Sequence, residues 1–215
     1  MECREAVVSY LSWGLVVGGG AYLLRQMQNC AEYGRYAPTQ ARCCPARLGW
    51  FLQEVPALFV PLLLLLLPAE TGTGRRLLVG TFMLHYFHRS IIYAFLTRGR
   101  PIPLNIIVFA VIFCSLNGFL QGHFLLHCAR FEDTWLTRAR LAAGGMFEFV
   151  SGANFFGEIV EWCGYAVAVW SLPAFAFAFF TICSIGPRAC MHHRNYQQRF
   201  KDYPRSRKAI IPFIL

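Results

Sequence analysis

Six apolar stretches, each long enough or nearly long enough to cross a lipid bilayer, dominate this chain of 215 residues. They fall at about 6–24, 48–67, 77–96, 103–126, 146–170 and 171–187. A backbone inside hydrocarbon must satisfy its own hydrogen bonds, and no alternation of polar and apolar residues indicates strands, so each stretch predicts a helix. The predicted fold class is therefore an all-α integral membrane protein, a bundle of about six spans. The last two stretches almost touch, so 146–187 is predicted as a bent pair or a re-entrant segment.

Composition agrees with a membrane protein and excludes an ordinary soluble one. Hydrophobic residues make up 56% of the chain and charged residues 14%, with a mean hydropathy of +0.43. The net charge of +9 is too thinly spread for a nucleic-acid surface and predicts cytosolic loops instead. The stretch 6–24 lacks a basic leader and a cleavage site, so it is predicted as a first anchor, not a signal peptide.

The nine cysteines include no Cys-x-x-Cys pair, and Cys114, Cys163 and Cys183 lie inside apolar stretches. This pattern predicts buried thiols, and neither a disulfide framework nor a zinc site. His85 and His88 lie three residues apart, but no second ligand pair has suitable spacing. We therefore predict no metal.

Polar residues interrupt four of the apolar stretches. On one predicted helix, Asn154, Glu158 and Glu161 share a face, and each charged carboxylate in hydrocarbon costs on the order of 3 kcal/mol. The other stretches contribute Trp50, Gln53 and Glu54, then the run 85–89, then Asn117 and Gln121. Two interpretations stand, isolated hydrogen bonds between helices or one shared polar cavity, and the repetition over four spans favours the cavity.

Glu54 and Tyr86 are the candidate chemical pair. A carboxyl group and a phenol in a low-dielectric pocket both favour their neutral, donating forms. Two such donors aimed at a carbonyl oxygen would stabilise negative charge that develops there. The arginines that flank the spans can hold the phosphates of a nucleotide, or can simply follow the positive-inside rule, and the residues alone leave both open. They are Arg98, Arg100, Arg188, Arg194 and Arg207.

Five motifs, spaced in order over nearly the whole chain, resemble the steroid 5α-reductases, with details closest to the type-2 form of that family. They are WFLQEVP at 50–56, HYFHR at 85–89, RGRP at 98–101, FVSGANF at 149–155 and DYPRSRKAIIPF at 202–213. The resemblance implies a multi-pass reductase of the endoplasmic reticulum membrane, with seven spans, that forms a single domain over 1–215. It also implies that NADPH is the cofactor and that the 4,5 double bond of 3-oxo-4-ene steroids, such as testosterone and progesterone, is reduced.

The resemblance further implies roles for particular residues. Glu54 and Tyr86 would hydrogen-bond the steroid 3-keto oxygen, while hydride goes to C5 and a proton to C4. Trp50, Gln53 and Phe113 would line the steroid pocket. The positions that resemble the cofactor contacts of the family are Tyr33, Tyr93, Arg98, Arg100, Asn154, Glu158, Arg188, His192, Tyr196 and Arg207.

The chain also departs from the family pattern. The type-2 form has an asparagine at the position of Thr97 and an arginine at that of Phe109. It has a Phe-Leu pair at the positions of residues 184–185. The larger departure lies near 136–145, where Trp135 runs almost directly into Gly144 and a membrane helix with a basic, cofactor-serving loop is missing. Loss of one span reverses the sidedness of everything after it, so the arginines before and after the gap would face opposite sides of the membrane.

Three functions remain open from the sequence. The first is an active steroid 5α-reductase, and the second is a non-catalytic membrane isoform of that enzyme. The third is a small transporter with Glu158 and Glu161 as a proton relay, which the family resemblance disfavours.

Overall fold

The computed structural model describes residues 2–28, 42–68, 72–130, 153–200 and 208–210, and the structural statements concern these residues. Most of them are helical. The helices are α1 (Glu5–Gln28), α2 (Ala46–Leu65), α3 (Thr73–Phe87), α4 (Ala94–Leu96), α5 (Leu104–His123), α6 (Ala153–Val169) and α7 (Leu172–Arg199). A π-helical turn, π1 (His88–Tyr93), joins α3 to α4, and a second, π2 (Phe124–Cys128), extends α5. The predicted all-α class is confirmed.

Four helical runs are long and apolar enough to cross a membrane. They are α1, α2, α5 together with π2, and α7, with hydropathies of 1.5, 1.7, 1.9 and 1.5 in their most apolar windows. The two remaining predicted spans are also helical where they are described, as the continuous run from α3 through α4 and as α6. Residues 146–152 of the fifth stretch lie outside the described part. The chain is a multi-pass membrane protein.

The chain divides into two compact units. The first contains Met1–Leu11 and Ala31–Arg130, and the second contains Ser12–Cys30 and Phe131–Leu215. Helices α2 to α5 and the start of α1 thus belong to the first unit, while the rest of α1, α6 and α7 belong to the second. A short antiparallel pair of β1 (Cys43–Cys44) with β2 (Ile102–Pro103) joins the start of α2 to the start of α5 within the first unit.

Helices α2 and α5 of the first unit pack closely because two glycines of α5 face α2. A Cβ on Gly118 would lie 3.2 Å from the Cα of Ala57, and one on Gly122 would lie 3.3 Å from the Cα of Pro61. This Gly-x-x-x-Gly spacing lets backbones approach where no hydrophobic effect drives helices together in lipid. Pro61 lies inside α2 and is buried in this contact.

A disulfide joins Cys3, before α1, to Cys128, at the end of π2. The prediction that the cysteines form no disulfide is therefore wrong for this pair. Pattern reasoning missed it because the two residues are 125 positions apart in the sequence. Beside the disulfide, the backbone N–H of Arg4 donates to Nε2 of the fully buried His123 at 3.2 Å. Cys114 and Cys183 are free and buried, as predicted, whereas the free thiol of Cys163 is partly exposed.

In the second unit, α6 and α7 are separate helices joined by a tight turn at Trp170 and Ser171. Trp170 has a φ of 50°, in the left-handed region. The side chain of Ser171 then caps α7 by accepting from the N–H of Ala174 at 3.3 Å. The apolar faces meet where the rings of Trp162 and Phe177 lie 4.4 Å apart.

The helix of the last predicted span extends beyond the apolar stretch that ends at residue 187. Helix α7 continues through Pro187 to Arg199. Residues 188–199, which follow the last apolar stretch, are therefore the carboxyl-terminal part of a long helix. A proline inside a helix leaves one carbonyl without its usual donor, so the continuation requires a replacement donor.

Candidate functional site

Helix α2 carries the first set of predicted site residues on one face. Trp50, Gln53 and Glu54 are three and four residues apart, so successive turns of the helix bring them to the same side. Gln53 and Glu54 are 5% and 8% exposed, inside one of the most apolar helices of the chain. Buried polar groups of this kind require partners from neighbouring helices.

Arg89 of π1 is the partner of Glu54. Its Nη2 atom donates to Oε1 of Glu54 at 2.9 Å. The guanidinium carbon lies 5.0 Å from the ring centroid of Trp50 and 5.5 Å from that of Tyr93, and these two rings meet edge to face at 5.0 Å. A carboxylate and two aromatic faces thus hold this cation within the helix bundle, where cation–π attraction is strengthened by desolvation.

Arg89 received no role from the sequence, although it lies in the motif HYFHR. The available signal was a basic residue in an apolar stretch three positions after Tyr86. The carboxylate with which Arg89 pairs could not be predicted from the sequence, because Glu54 lies 35 positions earlier on another helix. The π1 turn also had no sequence signal, and π turns occur often at functional sites.

Tyr86 is the end of a second buried cluster. Asn117 donates through Nδ2 to the phenol oxygen of Tyr86 at 3.4 Å, and Gln121 donates through Nε2 to Oδ1 of Asn117 at 3.2 Å. The three residues are 4%, 0% and 1% exposed. The Ser90 hydroxyl donates to the Tyr86 carbonyl at 2.6 Å, which satisfies that group where α3 widens into π1. Phe113, predicted to line the steroid pocket, lies half-buried on α5 one turn before Asn117.

Polar residues from three predicted spans therefore come together inside the first unit. They form two hydrogen-bonded clusters, one between α2 and π1 and one between α3 and α5. The polar residues of the fourth span, on α6, belong to the second unit.

The turn after α4 carries two of the predicted cofactor arginines. Arg98 and Arg100 are exposed there. Thr97 shapes this turn, since its hydroxyl accepts from the N–H of Gly99 at 3.3 Å and its carbonyl accepts from Nε of Arg47 at 3.4 Å. An asparagine side chain at this position can make the same local bond as the Thr97 hydroxyl.

In the second unit, α7 presents Arg188, His192 and Tyr196 at intervals of four residues, which brings them to one face. The ring of His192 stacks on Phe155 of α6 at 5.8 Å, so this face is fixed against its neighbour. The buried Oδ1 atom of Asn195, on the same side of α7, has no hydrogen-bond partner among the residues that the structure describes. Sequence reasoning did not select Asn195.

Helix α6 carries Asn154 and Glu158, the other predicted cofactor residues of this unit. Asn154 is exposed, and Glu158 is half-buried. Glu161, which the sequence placed on the same face, is exposed. Tyr33 and Arg207 lie outside the described residues. Within the described ranges, no three His, Cys, Asp or Glu side chains are grouped closely enough to hold a metal ion.

These features define a class of protein, a multi-pass helical membrane protein with buried polar clusters among its apolar helices. Comparison with known proteins gives the family. The sequence model described as 3-oxo-5-alpha-steroid 4-dehydrogenase matches residues 100–144 and 137–215. The chain belongs to this family and is an oxidoreductase of it.

Individual relatives match the chain over its length. It is 41% identical to 3-oxo-5-alpha-steroid 4-dehydrogenase 2 of Homo sapiens over 253 residues, which covers 100% of this chain and 99% of the relative. The mouse type 2 protein is 42% identical and covers 86% of this chain, with 88% of its own length matched. The human type 1 protein is 38% identical over 98% of this chain and 96% of the relative.

Proposed function

We propose that this protein reduces the 4,5 double bond of 3-oxo-4-ene steroids with NADPH, testosterone to 5α-dihydrotestosterone being the reference reaction and progesterone a second substrate. Membership of the family supports the reaction class. The observation that carries the proposal is the buried chain from Gln121 through Asn117 to the phenol of Tyr86. An apolar ketone dissolved in the membrane needs a hydrogen-bond donor inside the bilayer. The three hydrogen-bonded side chains present one, the phenol of Tyr86, within a bundle of apolar helices.

Tyr86 is the direct donor to the 3-keto oxygen. Its phenol oxygen accepts a hydrogen bond from Asn117, and Asn117 accepts one from Gln121. Bonds in such a chain polarise one another, so each amide makes the phenol a stronger donor. Donation to the keto oxygen draws electron density away from C5, which prepares that carbon for hydride.

Glu54 is proposed as the second group at the keto oxygen, in its protonated form. In the structure its Oε1 atom accepts from Arg89, so donation to a ketone requires a proton on the carboxyl group and a shift of the Arg89 contact. The rings of Trp50 and Tyr93, which already contact the guanidinium, would keep it in the bundle when the contact with Glu54 is lost. Substitution Glu54→Gln distinguishes the protonated from the ionised carboxyl group, because an amide donates as the neutral acid would and cannot ionise.

The residues of α7 fit a dinucleotide. Arg188 supplies a cation for phosphate, His192 and Tyr196 supply ring faces and donors, and the buried Asn195 oxygen is an acceptor for an N–H or hydroxyl group. Asn154 and Glu158 add an amide and a carboxylate on α6 that suit ribose and amide groups. Tyr93, Arg98, Arg100, Tyr33 and Arg207 are proposed as further cofactor contacts on the resemblance of their positions to those of the family. When bound, NADPH would supply the hydride that adds to C5, and a proton from water would add to C4 to complete the reduction.

Substrate access follows from the membrane. Trp50, Gln53 and Phe113 are proposed to contact the steroid, which partitions into lipid and needs no aqueous entrance. We place the protein in the endoplasmic reticulum membrane, on the resemblance of its motifs to the reductases of that membrane. The partners are thus steroid and membrane lipid.

The test is steroid reduction in microsomes that express this chain. Testosterone and NADPH are supplied, and 5α-dihydrotestosterone is quantified against microsomes with the Tyr86→Phe variant at equal protein level. Product from the unaltered chain and its loss in the variant are expected. Product at equal rates from both would reject Tyr86 as the donor.

A second candidate function is a membrane protein of this family without full catalytic competence. Two observations favour it. The alignments run over 253 residues against a chain of 215, so the relative has residues without a counterpart here. The family sequence model also matches in two pieces that overlap at 137–144. This is the region in which the motifs of the family indicate that the chain lacks a helix and a loop. Absence of product in the microsomal test, with the protein present in the membrane, would favour this candidate.

A further inference from the structure

Pro187 lies inside α7, and proline has no backbone N–H. In an α-helix, residue 187 would donate to the carbonyl of residue 183. Cys183 is only 2% exposed, so its carbonyl cannot turn to an aqueous donor. A buried carbonyl without a partner is unfavourable, and prolines in membrane helices persist where a neighbour supplies the donor.

Gln26 of α1 supplies that donor. Its Nε2 atom donates to the carbonyl of Cys183 at 3.2 Å and to that of Ser184 at 3.1 Å. One side-chain amide has two N–H groups, so it can serve both carbonyls. Gln26 and these two residues all belong to the second unit.

Tyr22, one turn before Gln26, holds the residue that follows the proline. Its phenol oxygen accepts from Nη2 of Arg188 at 3.1 Å, and its ring stacks on Phe180 at 6.3 Å with an angle of 5°. Gly19 completes this face of α1, since a Cβ there would lie 3.3 Å from the Cα of Phe180. The contacts of Gly19, Tyr22 and Gln26 form what we call the α1–α7 seam.

We propose that Gln26 and Tyr22 are positioning residues for the cofactor, an inference that rests on the proposed function of Arg188, His192 and Tyr196. Proline at 187, preceded by glycine, is a point where α7 can bend. The seam fixes the direction of α7 at that point. It thereby sets where Arg188 and the two later residues of that face lie. Neither Gln26 nor Tyr22 touches the cofactor itself.

The test is a double-mutant cycle with Gln26→Ala, Pro187→Ala and the pair, each as the full chain in detergent. NADPH dissociation constants and thermal unfolding are measured for each. We expect Gln26→Ala to weaken NADPH binding about tenfold and to lower the melting temperature, as for loss of a bond to a buried group. In the Pro187→Ala background an N–H at 187 serves Cys183, so the same substitution changes the NADPH dissociation constant less than about twofold.

Gln28→Ala is the matched control, because Gln28 is an exposed glutamine on the same helix. If Gln26→Ala changes the melting temperature equally in the Pro187 and Pro187→Ala proteins, Gln26 does not serve the carbonyl of Cys183, and the α1–α7 seam is contradicted. Coupled melting temperatures with unchanged NADPH affinity would overturn the positioning role and leave only a structural one. If no variant, including the unaltered chain, binds NADPH, the proposed function fails, while the melting cycle alone still decides whether the seam exists.

Discussion

At the scale of single residues, the phenol of Tyr86 is the group whose removal isolates the proposed chemistry. Tyr86→Phe keeps the ring that packs on Phe82 at 4.8 Å and removes only the hydroxyl. We expect a fall in steroid turnover of about 10²- to 10³-fold, the usual result of losing one donor to a developing oxyanion. We also expect a lower melting temperature, because the buried amide of Asn117 loses its acceptor.

Tyr10→Phe is the control for the Tyr86 prediction, since Tyr10 is 79% exposed. Turnover and melting are measured on the same preparations. A Tyr86→Phe protein that turns over steroid like the control variant would contradict the role of the phenol.

The pair of Glu54 and Arg89 gives a second residue-scale prediction. Arg89→Gln leaves a nearly buried carboxylate without its cation, so it is expected to destabilise the protein by about 1–3 kcal/mol. Adding Glu54→Gln removes the uncompensated charge and is expected to recover most of the loss. The measurement is thermal unfolding of the two single variants and the double variant. Additive losses would show that the two side chains do not interact in the protein.

At the scale of elements, the contact of α2 with α5 depends on the absence of side chains at two glycines. Gly118→Leu would drive a side chain into the backbone at Pro56 and Ala57. We expect this variant to lose the monodisperse peak in fluorescence-detected size-exclusion chromatography, because overpacking between helix backbones cannot be relieved by a rotamer change.

Gly80→Leu is the control for this substitution. Gly80 lies in α3, and a Cβ at this position would have no neighbouring atom within 4 Å among the described residues, so the new side chain enters open space. A Gly118→Leu protein that elutes like the Gly80→Leu control would contradict the close α2–α5 contact.

The disulfide joins two distant elements, the start of α1 and the end of π2. Cys3→Ser with Cys128→Ser is expected to lower stability by about 2–4 kcal/mol, since the closed loop restricts the unfolded chain. Melting is measured with and without reductant. The unaltered protein under reductant should match the double variant, and Cys43→Ser, at an exposed free thiol, should behave like the unaltered protein. Insensitivity of the unaltered protein to reductant would mean that the bond does not form.

At the scale of the whole molecule, a further prediction concerns the helix and loop that the family motifs indicate to be missing near 136–145. Inserting the corresponding segment of a type 2 relative between Trp135 and Gly144 is expected to strengthen NADPH binding at least about tenfold. Two causes contribute: the added polar contacts, and the restored sidedness of the basic residues that follow.

A second insertion separates these causes. A Leu-Ala helix of equal length restores the count of spans but supplies no polar group. We expect it to give an NADPH affinity between those of the original chain and the full insertion. Equal affinities for all three proteins in a fluorescence titration would contradict the requirement for the segment.

The class of the fold, the helical stretches and the family could all be read from the amino-acid sequence alone. A helix that spans hydrocarbon must present apolar side chains to the lipid and satisfy its backbone hydrogen bonds itself. Both requirements are local, so they can be recognised in runs of residues such as 103–126. The face shared by Trp50, Gln53 and Glu54 was also local, because helix periodicity alone brings these residues together.

The choice of which distant groups meet was made by helix packing and could not be read from the sequence. Arg89 pairs with Glu54, Cys3 bonds to Cys128, and Gln26 serves the carbonyl that Pro187 leaves without a donor, which lets α7 continue where the sequence ended it. The physical reason is the same in each case. A buried charge, thiol or carbonyl requires a partner, but its chemistry fixes only the kind of partner, and the packing of helices far apart in sequence selects which residue supplies it.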